Sequence, residues 1–169
     1  MKGKGKKIYW IGFMASGKST LGKRLARDLG WEWMDTDALI EKKYGLIDTI
    51  FRLEGETTFR ENERQVLHNL PDGNLVVSTG GGLPCFFDNM LQMLQRGLVI
   101  HADTPFDVIV ERLEKTGGKN DRPLAASASR DELKALYMKR GETYFRAHLT
   151  FQPNDDWSDF LEKVKRHLT

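Results

Sequence analysis

The sequence predicts an α/β domain built on a parallel sheet. Short apolar runs of strand length alternate with longer runs of helical periodicity along the chain. The first apolar run, KKIYWIGF, leads straight into Gly12-x-x-x-x-Gly17-Lys18-Ser19, and a helical run follows it. Strand, glycine loop and helix in that order are the context in which this glycine pattern cradles phosphate. The 169 residues contain no repeat and no low-complexity linker, which suits one domain, residues 1–169, around a single core.

The elements follow in order. After the glycine loop, Leu21, Leu25 and Leu29 recur at i+4 and predict an amphipathic helix. WEWMDT predicts a second strand. Residues 37–44 and a longer stretch, about 48–70, read as helical. NLVVSTG predicts a third strand running into Gly80-Gly81-Gly82, and residues 86–96 a helix. GLVIHAD predicts a fourth strand. The helix after it should take Thr104 as N-cap, Pro105 at its first position and Asp107 at its third. TGGKNDRPLAASAS has little apolar content and two adjacent glycines, so it reads as a loop. Residues 130 to about 147 read as helix and LTFQ as a fifth strand. A last helix turns Trp157, Leu161, Val164 and Leu168 inward. Parallel strands with right-handed crossovers gather their loops at the carboxyl edge, where ligands bind.

Composition narrows the function classes. Hydrophobic residues make up 40% and charged residues 30%, and the net charge of +2 implies no broad field for nucleic acid. No apolar run approaches membrane-spanning length. The basic start, MKGKGKK, reads as a solvated tail rather than a secretory signal. With Cys85 as the one cysteine there is no intramolecular disulfide, and the cytoplasm is the expected compartment. No long heptad pattern stands out, so a monomer is expected.

The glycine loop predicts a nucleoside triphosphate with Mg²⁺. Loop amides and the following helix N-terminus would face the β-phosphate. Lys18 would bridge β and γ oxygens, and the Ser19 hydroxyl would reach the metal. The nucleotide contacts therefore span Gly12, Ala15, Ser16, Gly17, Lys18, Ser19 and Thr20. No NKxD follows, which favours ATP over GTP.

Three clusters fall on the same edge and concern the acceptor. Asp35 and Asp37 close the second strand at i and i+2, which on a strand places both on one face. One can serve the metal and the other an acceptor hydroxyl as base; either can instead be a helix N-cap. Gly80-Gly81-Gly82 lets bare backbone approach a ligand, or is a plain turn. Arg60, Arg122 and Arg140 each lie in a polar stretch, where an arginine is often only a solvated charge.

Six segments together resemble shikimate kinase. They are Gly12 to Thr20, Asp35-Thr36-Asp37, Gly55-Glu56-x-x-Phe59-Arg60-x-x-Glu63, Gly80-Gly81-Gly82, Arg122-Pro123-Leu124 and Arg140 through Tyr144, in the family's order and rough spacing. The resemblance implies a three-layer fold like that of nucleoside monophosphate kinases, with a five-stranded parallel sheet in order 2-3-1-4-5. It implies a substrate-binding helical region at about 37–70 and a mobile lid at about 116–129. It implies transfer of the ATP γ-phosphate to the 3-hydroxyl of shikimate, on the route to aromatic amino acids. Asp37 then looks like the group that holds and deprotonates the acceptor hydroxyl, Asp35 like an outer partner of Mg²⁺, and Arg60 and Arg140 like the grip on the acceptor carboxylate. Gly81 and Gly82 look like backbone donors to the acceptor, Glu63 like the group that orients Arg60, and Arg122 like the lid arginine on the phosphates. Arginine suits a carboxylate because its planar fork gives two parallel hydrogen bonds. A hydroxyl acceptor must outcompete water, so a closing lid is expected.

Three features depart from the family. Ala15 stands where a third loop glycine is usual, so its backbone must keep φ below zero or bear strain. Glu142 stands where proline is common, so the helix carrying Arg140 should run on unkinked. TFQPNDDW matches the adenine segment poorly, and Asp155 or Asp156 reads better as a helix cap. Cys85 reads as an inert thiol. His68, His101, His148 and His167 lack metal-ligand spacing, and the tryptophans read as core. Two other readings stay open: a kinase for gluconate or a nucleoside monophosphate, and a nucleotide-binding module without catalysis.

Overall fold

A computed structural model describes residues 5–116 and 128–169. Five parallel strands form its sheet: β1 (Lys7–Ile11), β2 (Glu32–Asp35), β3 (Leu75–Ser78), β4 (Gly97–Ala102) and β5 (Leu149–Phe151). Their order is β2-β3-β1-β4-β5, as the resemblance implies. β1 lies at the centre, with Trp10 beside Ser78 on one side and Ile100 on the other. The strand order reverses beside it, and in such sheets the crevice there takes the ligand.

Alternation along β1 divides the core. Ile8 and Trp10 face one side, where α1 (Lys18–Leu29) and the C-terminal helix α8 (Trp157–Leu168) cover them. Leu25 of α1 and Phe160 and Val164 of α8 are the buried contacts, each worth about 2 kcal/mol of transfer free energy. The predicted inward set Trp157, Leu161, Val164 and Leu168 packs there. Tyr9 and Ile11 face the other side, beneath α5 (Asn89–Arg96), α6 (Phe106–Lys115) and α7 (Arg130–Tyr144). A third cluster, Ile40, Ile47, Ile50, Phe59 and Val66, joins α2 (Thr36–Tyr44), α3 (Ile47–Leu53) and α4 (Glu56–His68).

Three expected boundaries are corrected. The long helix expected over 48–70 is two, broken at Glu54-Gly55, where Gly55 takes φ 87 and the chain turns. The helix expected from Phe86 starts at Asn89. A 3₁₀ turn, Leu83–Cys85, precedes it, Phe86 is extended and Phe87 is left-handed at φ 51. The ring of Phe86 is spent on covering the Arg60 guanidinium, 4.1 Å away. Thr104 does not cap α6, because Pro105 holds that position. The Thr104 hydroxyl instead donates to the Ser16 carbonyl at 3.0 Å.

Candidate active site

The turn between β1 and α1 is the predicted phosphate loop. Gly17 takes φ 92 and α1 begins at Lys18, so the helix opens with amides that lack intrahelical partners. The loop carbonyls are held by side chains. Lys18 Nζ donates to Gly12 O at 2.9 Å and to Phe13 O at 2.8 Å. Thr104 holds Ser16 O, and Arg112 from α6 holds Ala15 O at 2.9 Å. Ala15 does not keep φ below zero. It sits at φ 60, the left-handed region, at a cost of about 1–2 kcal/mol for a residue with a Cβ. Ala15, Ser16, Gly17, Lys18, Ser19 and Thr20 line one cavity of about 850 Å³. Gly12 lies behind that wall, in contact with Lys18 through its carbonyl.

Asp35 and Asp37 both reach the cavity, but not as two residues of one strand. β2 ends at Asp35, and Asp37 belongs to the first turn of α2. Asp35 is itself the N-cap: its Oδ1 accepts from the amides of Asp37 at 2.9 Å and Ala38 at 3.2 Å, a bond set worth about 1 kcal/mol. Its Oδ2 accepts from the Ser19 hydroxyl at 2.8 Å. One carboxylate therefore fixes the turn that presents Asp37 and joins it to the phosphate loop.

Gly80-Gly81-Gly82 follows β3 into the same cavity, and all three glycines are there for close approach. A Cβ on Gly80 would stand 2.7 Å from Asp37 Oδ1, and one on Gly82 would collide with the Arg60 guanidinium. Gly81 lies between the Met14 amide of the phosphate loop and Arg140, at 3.2 and 3.4 Å from its Cβ position. The Gly80 amide donates to the Thr36 hydroxyl at 2.9 Å, and the Tyr144 hydroxyl donates to the Gly81 carbonyl.

Arg60 and Arg140 line the cavity and are not solvated charges: their exposures are 4% and 5%. Arg60 comes from α4. Its Nη1 donates to Glu63 Oε2 at 2.8 Å and its Nη2 to Glu56 Oε1 at 3.1 Å. Burial pushes the Glu63 carboxyl up to about 7, against the pull of Arg60. Arg140 comes from α7, which runs unbroken through Glu142 as expected, and lies over the Phe13 ring. Burial drives the Tyr144 phenol well up, opposed by Arg140 beside it. Burial likewise raises the Cys85 thiol, in keeping with an inert group.

Arg122 and most of the expected lid lie outside the described residues. Asp156 caps α8 through the Asp159 amide at 3.0 Å, as expected, while Asp155 accepts from the Gln152 amide at 2.8 Å. Thr104, Arg112 and Tyr144 had no role in the sequence reading, apart from the cap expected of Thr104. Their partners are backbone carbonyls 63 to 97 positions away, and no local pattern marks such a contact. Among the described residues, no cluster of three His, Cys, Asp or Glu can hold a metal. The Ser19 hydroxyl and Asp35 carboxylate do suit a Mg²⁺ ion that keeps most of its ligands as water and phosphate. No helix among them is long and apolar enough to cross a membrane.

An anion loop, a carboxylate beside it and two buried arginines thus share one cavity. Known proteins resemble this chain over most of its length. The family model "Shikimate kinase" matches residues 14–168. A shikimate kinase of Persephonella marina is 45% identical over 144 residues, 84% of this chain and 85% of that one. One from a Sulfurihydrogenibium species is 38% identical over 168 residues, 95% of this chain and 99% of that one. Among solved structures, the shikimate kinase of Acinetobacter baumannii in complex with shikimate matches with a TM-score of 0.84 and 34% identity, over 97% of this chain and 93% of that one. With the phosphate loop from Ala15 onward, the triple glycine and both arginines falling inside the span the family model matches, the chain belongs to the shikimate kinase family.

Proposed function

We infer that this protein is an ATP-dependent kinase that phosphorylates the 3-hydroxyl of shikimate, a step toward the aromatic amino acids. The carrying observation is that Arg60 and Arg140 are nearly fully buried on the cavity that holds the phosphate loop. Two buried guanidiniums converging on a cleft call for an anion, and family membership makes that anion the shikimate carboxylate.

Lys18 and the α1 N-terminus bind the nucleotide phosphates. Asp35 and Ser19 would hold Mg²⁺, which would supply positive charge to offset that of the nucleotide. Arg60, Arg140 and the backbone of Gly81 and Gly82 orient the acceptor. Asp37 takes the hydroxyl proton as the acceptor oxygen bonds to the γ-phosphorus and the bond to ADP breaks. Arg122 is assigned to the closing lid on the resemblance alone. The cytoplasm fits this work.

A coupled assay of ADP release tests the reading, with shikimate, gluconate or no acceptor. Turnover that requires shikimate is expected; turnover with gluconate alone overturns the acceptor assignment.

Glu63 adds a pH signature. Its folded pKa of about 7 exceeds the ordinary 4.5, so the folded state holds an extra proton between those values. Stability from this group is full below about 4.5 and is lost as pH rises through 7. The same titration restores a negative charge beside Arg60. The KM for shikimate is therefore expected to rise several-fold from pH 6 to 8 in native protein and to flatten in E63Q. A native profile no steeper than that of E63Q contradicts it.

A further inference from the structure

We propose that Arg112 is a positioning residue for the nucleotide: it clamps the Ala15 carbonyl and so holds the phosphate loop in a shape that alanine alone would leave. The proposal rests on the kinase reading above. Only Ala15 and Phe87 among the described non-glycine residues have positive φ, and Ala15 has it in the middle of an anion-binding loop. A glycine there would take φ 60 freely; alanine needs the surroundings to enforce it.

The surroundings that do so come from the segment after β4. The Thr104 hydroxyl holds Ser16 O and Arg112 Nη1 holds Ala15 O, so two successive carbonyls are drawn to the same side. The same Nη1 lies 3.6 Å from the Cβ position of Gly17, against the flank of the loop. Arg112 is carried by a helix anchored through Ile109 and Val110, both buried. Among the described residues no carboxylate lies within ion-pair distance to compete for its guanidinium. The amide of the same peptide, Ser16 N, donates to Phe13 O at 3.2 Å, so the Ala15–Ser16 peptide is held from both ends and the turn of the loop is set there.

The test is a double-mutant cycle over R112M and A15G. Dissociation constants for Mg-ATP are measured by calorimetry on the four proteins, together with KM for shikimate. R112M is expected to weaken ATP about tenfold in the native loop, the loss of one charge-assisted hydrogen bond. In the A15G background the same change should cost no more than about twofold, because glycine needs no clamp. KM for shikimate should move less than about twofold, since the contacts of Arg112 are with the phosphate loop. Equal loss in both backgrounds overturns the proposal and makes Arg112 a direct nucleotide contact. No loss in either overturns it as well. Failure of the native chain to bind Mg-ATP overturns the kinase reading itself and is visible before any variant is made.

Discussion

Replacement of Asp37 by asparagine is expected to lower kcat about 10²–10⁴-fold while KM for shikimate stays within about threefold. Asn keeps the volume of Asp, and the Asp35 cap on its backbone amide holds the turn that presents residue 37. What Asn lacks is a site for the hydroxyl proton. The loss should therefore fall on the chemical step, seen in single-turnover and steady-state rates alike. A kcat within tenfold of native removes the base role. A KM that rises with kcat intact makes Asp37 a binding group only.

Arg60→Ala should produce the largest combined effect on binding and stability. The arginine is 4% exposed and its partner Glu63 is 1% exposed. Removing it leaves the buried Glu63 carboxyl, already poised near pH 7, protonated and without its donor, a change that costs about 1–3 kcal/mol, or roughly 5 °C in Tm for a chain of this size. It also removes half of the acceptor grip, so KM for shikimate should rise about 10²–10³-fold. The two effects separate in R60A/E63Q. Neutralising Glu63 should recover most of the stability and none of the affinity. Recovery of both would show that Arg60 serves the fold alone. R60K should fall between native and R60A, because an ammonium keeps the charge but not the fork.

The strands were legible because a parallel sheet covered on both faces is written as short apolar runs. KIYWI, LVVS and GLVIHA carry that signature and occupy the predicted strands. Helix ends were less so. The break at Gly55 and the left-handed Phe87 answer to tertiary demands: seating α4 so that Arg60 enters the cavity, and laying Phe86 over its guanidinium. Asp35 and Asp37 were found by type but misjudged in geometry, since one residue both ends the strand and caps the helix. The phosphate loop could be read because its ligands are consecutive. The grip of Tyr144 on Gly81 and of Arg112 on Ala15 could not, because each joins a side chain to a carbonyl made special only by the folded chain.

Gly81 has a consequence for inhibitor chemistry. The Met14 amide and Arg140 both crowd the position a Cβ would take there, and its carbonyl is tied to Tyr144. The floor between the two cradles at this point is thus main chain, with the Arg140 side chain beside it. A single molecule joining an adenosine phosphate to a cyclic hydroxy acid would cross that floor. A linker that presses on this stretch should lose part of the gain of joining the halves, because the floor there is backbone tied down at Gly81 by Tyr144.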